Sequence, residues 1–177
     1  MNSRTWPVAA LCGLALLAVP LPLAAGDGFV GEAEARLDML EEKLTGLCDA
    51  MAGEHLSYRP GGGVRSTSEL LLHTAAGNYF VARAFGMNPP EGLDVRGLEK
   101  STTDAGEIKS ALMKSFEHLG SAVGKLSADE ADSAMKMFGR ETTKRGAVSM
   151  ALNHISEHLG TLVAYARVNG VTPPWSQ

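Results

Sequence analysis

Apolar side chains recur along most of the chain at intervals of three and four, the spacing that gathers one face of an α-helix. Between Gly31 and about Ala52 they fall at Leu37, Leu40, Leu44, Leu47 and Met51. The segment "RPGGGVR", Arg59 to Arg65, stops this helix, because proline has no amide hydrogen and consecutive glycines lose much entropy on becoming helical. A second helix opens at Ser66. Glu69 follows at the spacing of a capping box, in which each side chain satisfies a free amide of the first turn. It runs to about Phe85, where Gly86 and "NPP" end it. The stretch Glu91 to Thr103 has mixed charge and no period. A third helix begins at Asp104, with Glu107 in its first turn, and carries Ile108, Leu112, Leu119 and Leu126. Ser127 and Glu130 repeat the capping box and open a short helix reaching about Phe138. The last helix spans roughly Thr143 to Asn169, with Val148, Leu152, Ile155, Leu159, Leu162 and Val163 as its stripe, and Gly170, Pro173 and Pro174 close it.

No run alternates apolar and polar residues between turns, so no sheet is predicted. Four long helices and one short one predict an all-α fold, an up-down-type four-helix bundle with one extra short helix.

The first 25 residues follow another pattern. Arg4 precedes an apolar run from Pro7 to Ala25 that closes on Ala24, Ala25 and Gly26, the layout of a secretory signal peptide cleaved after Ala25. An uncleaved membrane anchor is the rival reading, but Pro7, Pro20 and Pro22 interrupt the run and it is barely long enough to span. The expectation is export, periplasmic or secreted, of a single domain over residues 26–177 with no membrane span after cleavage. That domain would carry 15 basic and 20 acidic residues, a balance with no basic footprint for nucleic acid. Cys12 leaves with the signal, and its setting "AALCG" lacks the small residue that precedes a lipid-modified cysteine. Cys48 then stands alone, so no internal disulfide can support the fold, and it reads as a small buried apolar residue.

Candidate chemistry rests on histidine, of which the chain has five. In "LNHISEHLG", His154 and His158 stand one helical turn apart and can both reach one ion. Two polar residues on a partly exposed stripe would look the same. His73, inside "ELLLHTAAGNYF", adds a third imidazole from another helix, and three neutral imidazoles suit a divalent ion such as zinc, nickel or iron. Three protein ligands leave a position for water or substrate, the pattern of a catalytic site. His118 and His55 are weaker candidates; Glu69 can orient His73 or add a ligand, although capping already explains it; Glu157 points away from the pair. "HISEH" also fits H-x-x-E-H of inverted zincins, but the 19 residues after His158 hold no acid to complete such a site. Asn78, Tyr79 and Tyr165 are candidates for lining the approach, and Arg59 and Arg65 flank glycines that either cradle an anion or make a tight connection.

The blocks "SYRPGGGVRSTSELLLHTAAGNYF" and "HISEHLGTLVAYARVNGVTPPWS" resemble the DinB-like family of small helical metalloproteins, over nearly the whole chain after the signal. The resemblance implies a four-helix bundle whose divalent ion is bound by a histidine early in the second helix and an H-x-x-x-H pair on the last, here His73, His154 and His158. It also implies homodimers, and relatives that are transferases or isomerases dependent on a low-molecular-weight thiol such as bacillithiol or mycothiol. The functional expectation is an exported protein with a three-histidine site for zinc or nickel, or else iron or manganese. It would act as a metal-dependent transferase or hydrolase on a small molecule. The alternative is a non-catalytic binding or stress-response protein braced by its metal.

Overall fold

The computed structural model describes residues 28–176; the expected signal segment lies outside them. Four long helices form within about three residues of the expected bounds: α1, Phe29–Ala50; α2, Thr67–Ala84; α3, Ala105–Val123; and, later in the chain, α5, Lys144–Val168. Side chains cap the starts of the last three. Ser66 Oγ accepts from the Glu69 amide at 3.2 Å while the Glu69 carboxylate accepts from the Ser66 amide at 2.9 Å. Asp104 and Thr143 accept from the amides of Glu107 and Gly146 at 2.9 and 3.1 Å.

Between α3 and α5 the structure departs from the expected short helix. Helix α4, Ala128–Ala131, carries the Ser127–Glu130 capping box but lasts one turn. An antiparallel hairpin replaces the rest, β1 Ala134–Met137 paired with β2 Arg140–Thr143. Ion pairs draw the chain back: Lys144 meets Glu130 at 3.3 Å and Arg145 meets Asp132 at 2.8 Å. The two-residue turn places Phe138 at φ 51° and Gly139 at φ 75°, left-handed values that a helix cannot hold.

α2 packs against α3 and α5, and α1 packs against the same two helices. α1 and α2 thus face each other across a diagonal of the bundle. Leu40, Leu44, Leu71, Leu72, Leu112, Leu119, Ile155 and Leu162 fill the middle, each fully buried and each stabilising the fold by about 1.5–3 kcal/mol. Cys48 is buried among them, its thiol directed at the Ala105 carbonyl 3.6 Å away and pushed up to about 11, chiefly by burial. The C-terminal segment folds back on α1, where the Lys43 ammonium lies 5.3 Å from the Trp175 ring centre. Among the described residues no helix is long and apolar enough to cross a membrane.

Candidate metal centre

The capped start of α2 fixes the position of His73, seven residues beyond Ser66. Leu70, Leu71, Leu72, Thr74 and Ala75 around it are buried, and His73 is left half-buried at the seam with α5. From α5, His154 and His158 face the same seam one turn apart. The Nε2 atoms of His154 and His158 are 2.9 Å apart, and those of His154 and His73 are 3.3 Å apart. The rings are strongly inclined, at 82° for His154 and His158 and 78° for His73 and His158, so their in-plane lone pairs can converge on one point. Each residue offers one ligand atom within 4.8 Å of the others, and among the described residues no further His, Cys, Asp or Glu joins the cluster.

A residue from the aperiodic stretch completes the support. Glu99, on a single 3-10 turn at Leu98–Lys100, lies 3.0 Å from His73 Nδ1. A carboxylate can only accept, so Nδ1 carries the proton and donates, which leaves the His73 Nε2 lone pair facing the cluster. Arg65 Nε donates to the other Glu99 oxygen at 2.9 Å. Burial opposes the charge on Glu99, but the hydrogen bond and charge of Arg65, with a further contribution from His73, hold its carboxyl below the usual range.

The paired imidazoles are held neutral. Burial, then the neighbouring His154 and His73 and the Arg65 charge, brings His158 down to about 4. Burial and His73 also lower His154. At neutral pH both rings therefore present lone pairs, the state a metal requires. Three imidazole nitrogens on a tetrahedral zinc at ~2.1 Å stand about 3.4 Å from one another. Two of the observed separations, 2.9 and 3.3 Å, lie near this value and all three ligand atoms fall within 4.8 Å of one another, so the donor set fits a divalent ion.

Gly77 sets the depth of this arrangement. It lies one turn past His73 on α2, and a Cβ there would stand 2.7 Å from Cε1 of His154 and 3.1 Å from its Nδ1. Any larger residue must push that ring out of place.

Two openings reach the cluster. A largely apolar cavity of about 390 Å³ is walled by His73 and His154 at one end and by Phe80 and Phe138 elsewhere. A polar cleft of about 660 Å³ borders His158, Arg65, Lys100 and Tyr165.

The remaining residues singled out from the sequence are placed as follows. Glu69 is turned to its cap and to Arg59, 2.8 Å away, and is not a ligand. Arg59 also donates to the Val64 carbonyl, so the glycine segment is a clamped connection and its arginines are engaged with carboxylates. Asn78 borders the apolar cavity while donating to Ser115 at 3.1 Å, and Tyr165 borders the polar cleft, its hydroxyl donating to the Arg65 carbonyl at 3.2 Å. Tyr79 turns away, packing on His118, whose Nε2 donates to the Met87 carbonyl at 3.3 Å. Glu157 is exposed, and His55 lies on the turn after α1. Sequence reasoning missed Glu99 and Gly77; a glycine kept inside a helix was the one available signal for the second.

With this geometry, the sequence model of the DinB superfamily matches residues 36–162. A crystal structure of a DinB-like protein from Bacillus subtilis superposes with a TM-score of 0.65 at 22% identity, covering 82% of this chain and 97% of that one. A DinB-like protein from Bacillus cereus gives a TM-score of 0.67 at 18% identity, covering 80% and 95%. At such identities the likeness establishes the shared all-α bundle. No protein of curated function matches the chain significantly.

Proposed function

The chain belongs to the DinB superfamily, and from that premise we propose that it is a metal-dependent transferase or hydrolase of small molecules, its divalent ion held by His73, His154 and His158. The observation that carries the reading is a cluster of three imidazoles with no fourth protein ligand among the described residues, reached by two separate openings. Zinc or nickel is the foremost candidate ion for three imidazoles, with iron or manganese behind. A divalent ion at this point supplies Lewis acidity, polarising an oxygen or sulfur donor near neutral pH.

The chain's own residues have distinct tasks. His154 and His158 stay unprotonated because they are half-buried beside each other. Glu99 holds the proton of His73 on Nδ1, and Arg65 holds Glu99 in place. Separate openings suit a transfer between two partners, an apolar substrate through one and a polar partner such as a low-molecular-weight thiol through the polar cleft. The rival role, an ion that only braces α2 against α5, is disfavoured by the free coordination position that three protein ligands leave.

We place the mature domain at residues 26–177, exported and homodimeric; the export rests on Arg4 and the apolar run Pro7 to Ala25, the dimer on family resemblance. The primary test is elemental analysis of the purified protein beside His73→Ala, His154→Ala and His158→Ala variants. About one ion per chain in the parent, and sharp loss in each variant, is expected. Full retention in the variants would overturn the assignment. N-terminal sequencing of the protein from its host checks the cleavage after Ala25.

A further inference from the structure

The apolar cavity has a wall that the fold alone does not explain. Phe80 of α2 and Phe138 of the hairpin turn stack with ring centres 5.2 Å apart and planes within 11° of parallel. Both are exposed, at 51% and 67%. Phe138 holds φ 51°, a left-handed value that bulky side chains seldom adopt and that asparagine or glycine takes readily in such turns. A strained backbone that delivers a large apolar ring mostly into water returns little to stability, which is a reason to look for what the ring touches. It walls the cavity that ends on His73 and His154.

The polar groups of this cavity are unevenly placed. Phe80, Val81, Phe138 and Met150 make an apolar region, whereas charge enters through Glu99 and Arg96. Glu99 is already occupied by Arg65 and His73. The Arg96 side chain makes no ion pair among the described residues, so the uncompensated charge on the wall is positive. The volume of about 390 Å³ is near the lower end of ligand cavities, room for one or two fused rings.

We propose that this cavity binds a small aromatic carboxylate, its flat ring system against Phe80 and Phe138 and its carboxylate directed toward Arg96 and the histidine cluster. The carboxylate end rests on the metal-centre reading; the aromatic end stands on the cavity alone.

The test uses the full chain loaded with zinc, titrated calorimetrically with 2-naphthoate and with the neutral 2-naphthylmethanol, zinc content being measured in every sample. Saturable binding of 2-naphthoate is expected. Phe80→Ala and Phe138→Ala should each weaken it about tenfold, the scale of an aromatic contact in a binding site, with zinc content unchanged. Both rings are exposed, so these variants should fold. Arg96→Gln should weaken 2-naphthoate and spare 2-naphthylmethanol. Absence of saturable binding in zinc-loaded protein, or affinities untouched by both phenylalanine changes, would overturn the proposal and leave the metal centre standing. A chain that holds no zinc yet binds 2-naphthoate through Phe138 would uphold the aromatic pocket and sink the metal reading.

Discussion

At the scale of single residues, Gly77 is the least replaceable atom economy in the site: its missing Cβ is the space that the His154 ring occupies. Alanine at this position would gain up to about 1 kcal/mol of helix propensity, so the helix itself has no objection to the change. The expected outcome for Gly77→Ala is therefore selective, with helical circular dichroism kept and metal affinity lowered by competition titration; unaltered affinity would show that the ring relaxes without leaving the cluster. A second expectation concerns protons. His158 sits near 4 in the folded protein against 6.5 for a free imidazole, so the unfolded chain takes up a proton before the folded one does as pH falls. Stability of the metal-free protein should be full above 6.5 and decline between 6.5 and about 4, and the midpoint of metal release should lie below 6.5. Denaturation at several pH values checks the first and metal titration the second; a release midpoint at or above 6.5 would contradict the buried setting. Spacing puts His154 and His158 on one helical face without deciding between a ligand pair and a polar stripe; His73 as a third imidazole, and the family resemblance, point to the triad. Glu99 could not be read this way, because its stretch has no period and only tertiary folding brings it to His73.

At the scale of elements, caps decide where the site residues fall. Ser66 is nearly buried and bonds the Glu69 amide, so Ser66→Ala should lower unfolding free energy by about 1 kcal/mol. Urea denaturation measures this; no change would mean that neighbouring groups satisfy the first turn of α2. The same capping signal misled at α4. Ser127 and Glu130 form their box, yet the helix stops after one turn because Asp132 and Glu130 pair with Arg145 and Lys144. The hairpin that follows has strands of four residues, too short for the alternation in "AMKM" to stand out, and its turn carries phenylalanine where asparagine is the usual signal.

At the scale of the whole molecule, apolar stripes predict a bundle but not which helices are neighbours. The long connections from α1 to α2 and from α3 to α5 each cross a diagonal, so α2 and α5, far apart in sequence, share the seam that holds the histidines. An ion bound there ties the two together. Zinc should accordingly stabilise the folded chain, by about 2.7 kcal/mol when free zinc is a hundred times its dissociation constant, and slow amide exchange most in α2 and α5. A thermal midpoint indifferent to zinc would contradict this.

Cys48 bears on the chemistry from a distance. A thiol buried where the last turn of α1 meets the start of α3, and held near 11, is a thiolate in only about one molecule in ten thousand at neutral pH. The folded chain is therefore mute toward disulfide exchange at this sulfur. Alkylating reagents reach that sulfur only when the bundle opens, so their rate of capture is a built-in clock for the opening of the core.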